Sequence, residues 1–140
     1  MKKLKLNWSQ YHKEVDKLAL QIKKSGKVYK AVYSPDNPML AFLLSKKLGI
    51  ELHRHPESMK SILKMTYIDK EFLKCMEPES TLIVSDIINT GNTREKYKDF
   101  DFACLFQVYK LPCTIYHSTL VGKWLKINTK VIMPWEKEIK

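Results

Sequence analysis

Residues 82–93, LIVSDIINTGNT, constrain this chain more than any other stretch, because an apolar run, an acidic residue and a hydroxyl- and glycine-rich turn follow one another without a gap. Leu82, Ile83 and Val84 read as a buried strand, and Gly91 permits a tight turn. Thr90, Asn92 and Thr93 then supply hydroxyl, amide and backbone donors where a following helix begins. A helix start favours an anion through its unpaired N–H groups and its dipole. The segment therefore predicts a strand–loop–helix unit that cradles a phosphate; the plainer alternative is an ordinary connection in which Thr-Gly-Asn merely starts a helix.

The rest of the chain alternates strand and helix patterns. Trp8, Tyr11, Val15, Leu18, Ala19 and Ile22 follow helical spacing, with Ser9 as the expected cap. Residues 28–33 read as a strand, 39–48 as a buried helix stopped by Gly49, and 50–52 as a short strand. Residues 62–68, 103–109, 114–117 and 131–133 are further strand candidates, and 54–61 a polar loop. Such alternation predicts an α/β chain with a mainly parallel twisted sheet and helices on both faces, binding its ligand outside the carboxyl ends of the strands. At 140 residues and 44% hydrophobic content, one domain spanning 1–140 is expected.

No run of about 18 apolar residues occurs and the start MKKLKLNW lacks an apolar signal segment, so neither membrane nor export is expected and the cytoplasm is the default. Cys75, Cys104 and Cys113 form no close pair and read as reduced thiols. His53 and His55 would share one face of a strand, without the companions a metal site needs. The net charge of +10 suits polyanions. Its lysines are dispersed rather than gathered with aromatics, which favours substrate steering or solubility over dedicated nucleic-acid binding.

The 82–93 stretch resembles the signature of type I phosphoribosyltransferases, in which hydrophobic residues, two acids, two more hydrophobic residues and an Asp-Thr-Gly-x-Thr turn succeed one another. The resemblance implies that Thr90, Gly91, Asn92 and Thr93 hold the 5′-phosphate of phosphoribosyl pyrophosphate. It also implies that Ser85 and Asp86 meet the ribose and that Asp86 contacts Mg²⁺. Ser85 stands where relatives have the first acid, and Asn89 where purine-using relatives have an aspartate near the base. Neither adds negative charge, and loss of general acid–base help is worth about 10² to 10⁴ in rate.

Two more segments extend the likeness. AVYSPDNPMLAFLLSKKLGI resembles the first strand, pyrophosphate loop and helix of purine phosphoribosyltransferases, which makes Ser34, Pro35, Asp36 and Asn37 the loop. Relatives carry a basic residue and glycines there. Proline removes a donor, and aspartate repels pyrophosphate unless Asp36 itself holds Mg²⁺. CLFQVYKLP resembles the strand whose lysine reads an exocyclic oxygen, so Lys110 is the base-reading candidate and favours 6-oxopurines over adenine. VIMPWE resembles the close of xanthine and guanine phosphoribosyltransferases, with Lys130 where a purine-stacking tryptophan often stands. Val131, Leu120 and Val121 are then apolar base contacts, and Trp124 a ring to fold over the base, although core packing is the plainer role for Trp124 and Trp135.

The implied partners are phosphoribosyl pyrophosphate and a purine base or nucleotide; homo-oligomers are common in the family. Lys60 or Lys64 would close over the leaving pyrophosphate. Two readings of function stand: transfer of phosphoribosyl to xanthine, guanine or hypoxanthine, or a non-catalytic nucleotide-binding protein on the same fold. RNA binding by the basic surface is a third.

Overall fold

The computed structural model describes residues 2–35, 37–52, 77–88, 94, 96–108, 119–126 and 128–136. Strand β1 (Lys2–Lys5) leads into helix α1 (Trp8–Lys24), followed by β2 (Ala31–Tyr33), α2 (Pro38–Leu48) and β3 (Glu51–Leu52). Strands β4 (Thr81–Ile88), β5 (Asp101–Val108), β6 (Thr119–Leu125) and β7 (Thr129–Ile132) complete the order. Five strands form one sheet in the order β3-β2-β4-β5-β6, and β1 pairs with β7 in a separate ribbon. Every one of these pairings is parallel.

Local chemistry sets the helix ends. Asn7 caps α1: its Oδ1 accepts from the Gln10 amide at 2.8 Å while the Gln10 side chain accepts from the Asn7 amide at 2.9 Å. This reciprocal box places the helix start before Ser9, which lies inside the first turn instead of capping it. Asn37 caps α2 ahead of Pro38, and Gly49 ends it in the left-handed region at φ 68°, where a Cβ would be strained.

The anticipated face of α1 buries Tyr11, Val15, Leu18, Ala19 and Ile22, but Trp8 is 46% exposed. With Leu40, Ala41 and Leu44 of α2, those residues pack on the sheet face carrying Val32, Leu82, Val84, Ala103 and Leu105. The opposite face carries Ile83, Phe102 and Cys104 under Tyr97 and Phe100, beside Arg94, whose backbone is helical. Strand β2 is shorter than residues 28–33, because its pairing with β3 and β4 begins only at Ala31. Strands β1 and β6 have no counterpart among the strands read from the sequence. The candidate strands at 62–68 and 114–117, the loop at 54–61, His53, His55, Lys60, Lys64, Cys75 and Cys113 lie outside the described residues.

Candidate functional site

Parallel pairing sets Tyr33, the last residue of β2, opposite Ile83, and β4 runs on beyond it to Ile88. Asp86 lies beyond that register point, near the end of β4, and is only 8% exposed. Alternation along β4 turns Asp86 toward the face of Leu82 and Val84, where α1 packs. There the Tyr11 hydroxyl donates to Asp86 Oδ1 at 2.9 Å, and the Asn37 amide donates from Nδ2 to Asp86 Oδ2 at 3.2 Å. Burial, followed by the charge of Asp86 and this hydrogen bond, holds the Tyr11 phenol well above its ordinary pKa, so it remains a donor.

Asn37 works twice. Its Oδ1 accepts from the Met39 amide at 3.1 Å, capping α2, while its Nδ2 reaches Asp86. With Pro38 lacking an N–H and Met39 engaged by the cap, α2 presents fewer free amides to an anion than an uncapped helix. Ser34, at the end of β2, offers a hydroxyl in compensation: it is buried, and its Oγ has no hydrogen-bond partner among the described residues. A buried hydroxyl without a partner is costly, unless a ligand or ordered water meets it. Pro35 is half-buried beside it, and Asp36 lies outside the described residues.

The donor set fits a Mg²⁺ that arrives on its substrate. An ionised carboxylate has about four acceptor positions, and Tyr11 and Asn37 each donate to one oxygen of Asp86. Magnesium commonly takes one or two carboxylates and completes its shell with phosphate oxygens and water. No group of three or more His, Cys, Asp or Glu able to hold a metal occurs among the described residues.

Ser85 and Asp86 are not brought together. Ser85 pairs with Cys104, shares its face, and donates to the Ile87 carbonyl at 3.3 Å, on the side of the sheet away from Tyr11. Val131 is buried in the core, its register partner being Leu4, and its side chain is occupied by packing. Val121 is half-buried and packs with the Cys104 face. Trp124 is not packed in the core: it is 50% exposed and lines a cleft of about 460 Å³ with Gln21, Lys24, Leu120 and Val121. Gln21 sits ten residues beyond Tyr11 on α1, about 15 Å along the axis. Asn89, Thr90, Gly91, Asn92, Thr93 and Lys110 lie outside the described residues.

Two side chains of consequence carried no role in the sequence reading. Tyr11 registers there as one apolar position among several, although a buried phenol calls for a polar partner. Arg94, directly after Thr93, is 1% exposed: Nε donates to Thr119 Oγ1 at 2.9 Å and an Nη to the Tyr97 carbonyl at 2.8 Å, with the guanidinium 5.2 Å from the Phe102 ring centroid. It joins the end of the glycine-containing segment to β5 and β6. Burial pushes the neighbouring Cys104 thiol up to about 12, with Arg94 pulling the other way.

No protein-family model matches the chain, and no curated protein matches it. Solved structures do. A hypothetical protein from Neisseria gonorrhoeae with bound ppGpp superposes with a TM-score of 0.71 at 16% identity, covering 97% of this chain and 90% of that one. Purine phosphoribosyltransferase from Pyrococcus horikoshii Ot3 gives 0.64 at 17% identity, covering 100% and 97%. Helicobacter pylori xanthine-guanine-hypoxanthine phosphoribosyltransferase gives 0.61 at 17% identity, covering 96% and 93%. The chain has the α/β fold of the phosphoribosyltransferases. No described helix is long and apolar enough to cross a membrane.

Proposed function

We propose that the protein binds phosphoribosyl pyrophosphate at the carboxyl edge of β2 and β4 and transfers its phosphoribosyl group to an oxopurine, xanthine, guanine or hypoxanthine. The observation that carries this reading is the buried Asp86, held from both sides by Tyr11 of α1 and Asn37 of the β2–α2 turn on this fold. A carboxylate fixed there is positioned for ribose hydroxyls and for the positive charge that develops at the anomeric carbon.

In the transfer, the bond from the anomeric carbon to the pyrophosphate oxygen breaks and a bond to a purine nitrogen forms. Pyrophosphate leaves, and the base gives up the proton on that nitrogen to the departing pyrophosphate or to solvent. Asp86 steadies the sugar cation, Ser34 donates its unpaired hydroxyl to a phosphate oxygen, and Asn37 holds Asp86 and the start of α2 in register. Mg²⁺, when bound beside Asp86, supplies charge neutralisation for the leaving pyrophosphate. Residues 90–93 receive the 5′-phosphate and Lys110 donates to the 6-oxo group, as the sequence resemblance suggests.

A second reading is a nucleotide-binding protein without transferase activity. It is favoured by the internal hydrogen bonds on Asp86, by the amide-poor start of α2, and by the ppGpp on the Neisseria protein. One experiment separates the two: purified protein with Mg²⁺ and phosphoribosyl pyrophosphate is offered hypoxanthine, guanine, xanthine and adenine singly. Nucleotide formed from an oxopurine supports the transferase. No product from any base, together with saturable binding of a guanine nucleotide, supports the binder.

A further inference from the structure

The amino ends of the strands carry a surface for which the Asp86 site has no use. Gly26, at φ 78°, turns the chain out of α1, and the segment that leads into β2 is then held on both sides of Val28. Lys27 Nζ donates to Asp101 Oδ2 at 3.0 Å, and Tyr29 donates its hydroxyl to the same oxygen at 2.6 Å. Val28 itself is 87% exposed. A valine kept in water by two anchored neighbours forgoes its burial free energy without regaining much backbone freedom.

Two clefts flank it. One, of about 250 Å³, lies against Ile22, Leu48 and Ile50 and includes Lys23; the other, of about 460 Å³, is lined by Pro78, Glu79, Asp99 and Asp101. Lys27, Val28 and Tyr29 border both. The surface is therefore apolar and basic on one side of Val28 and acidic on the other. Lys27 and Asp101 pair with each other, whereas Lys23, Glu79 and Asp99 are exposed and make no ion pair among the described residues.

We infer that two copies of this chain meet on this surface, related by a two-fold axis that passes close to Val28. A half-turn about such an axis lays the basic cleft of each copy on the acidic cleft of the other, the self-complementarity that an isologous interface requires. Each Val28 is carried toward Ile22, Leu48 and Ile50 of the other copy. A wholly acidic partner would leave Glu79 and Asp99 facing like charge, and a wholly basic one would do the same to Lys23. Only a surface divided in the same way satisfies both halves, and this chain carries one. Asp86 lies near the carboxyl end of β4, at the far end of the strands, so the pairing leaves that site open in both copies and does not depend on what it binds.

The test is sedimentation equilibrium of the full chain, from micromolar to near-millimolar concentration at physiological ionic strength. A species of twice the chain mass is expected. Val28→Asp and Lys23→Glu should each weaken it about tenfold or more, as should the double variant Glu79→Lys/Asp99→Lys, because like charges then face each other across the interface. Lys23→Glu is the sharper of these, since it lowers the net charge of +10 and would strengthen an association limited by overall repulsion. Mixing Lys23→Glu with Glu79→Lys/Asp99→Lys should restore the dimer, because both contacts of the mixed pair are again of opposite sign. All four side chains are exposed in the single chain, and circular dichroism checks that each variant folds. Should Val28→Asp fail to fold, Val28→Ser and the mixture decide. A monomer at every concentration overturns the inference, as does an assembly that Lys23→Glu leaves intact or a mixture that associates no better than its components.

Discussion

Tyr11 and Asp86 are 75 residues apart in the chain, and their hydrogen bond fastens α1 to the carboxyl end of β4. Tyr11→Phe keeps the ring that packs against Trp8 and Trp135 and removes only the hydroxyl, leaving one Asp86 oxygen without that donor. A hydrogen bond to a charged group is worth about 1.5–3 kcal/mol, so urea denaturation should show a loss of that order. An unchanged midpoint would mean that water replaces the phenol freely. Alkaline pH probes the same phenol, together with Tyr29, whose hydroxyl donates to Asp101 at 2.6 Å and whose pKa is raised by burial and then by that bond. In the unfolded chain a tyrosine ionises near pH 10. Below that pH both phenols are neutral in either state, and their contribution to stability is complete. Above it the unfolded chain releases protons that the native state retains, so stability falls as pH rises. The thermal midpoint should therefore drop between pH 9 and pH 11, with a smaller drop in Tyr11→Phe, and the native absorbance at 295 nm should show these phenols still neutral.

Among the elements, β6 is the one whose place depends on a single missing side chain. A Cβ on Gly122 would lie 2.7 Å from the Leu105 carbonyl oxygen, a backbone atom in the middle of β5 that cannot swing aside. Gly122→Ala must push the edge strand off its neighbour, and overpacking of this kind typically costs about 1–3 kcal/mol. A urea midpoint equal to that of the unaltered protein would show that the edge gives way at no cost. The same glycine explains why β6 was not legible as a strand: with Lys123 it interrupts the apolar alternation of residues 119–125, whose faces are mostly half-exposed. Strand β1 was hidden for a related reason, since only Leu4 of its four residues turns a hydrophobic side chain to the core. Where an element buries a full stripe or a full run, as in α1, α2 and β4, the pattern was readable. Caps were read less well, because Asn7 and Ser9 are both good cap residues and only the reciprocal bond with Gln10 selects between them. Asp86 stood out in its motif. Asn37 stood out in the loop segment, but Tyr11 and the contacts of both with Asp86 did not, because no local spacing records a contact made across the sheet.

At the scale of the whole molecule, parallel pairing runs β2 and β4 in one direction toward the start of α2, and the chain as a whole carries a surplus of ten positive charges. Among the described residues the charge at the centre of the site is the carboxylate of Asp86, and the β2–α2 turn contributes Ser34 and Asn37. On the proposed function, capture of a ligand with several phosphates is helped by the field of the whole surface, which raises local ligand concentration without touching it. Such a field is screened by salt, its reach shrinking from about 30 Å at 0.01 M to about 3 Å at 1 M ionic strength. Contacts inside a largely buried site are screened far less. The association rate of phosphoribosyl pyrophosphate, followed by stopped-flow tryptophan fluorescence, should fall by about tenfold or more across that range, while the dissociation rate changes little. A flat association rate would assign the lysines to solubility alone, and a salt effect confined to dissociation would move the decisive charges into the site, beside Ser34 and the start of α2.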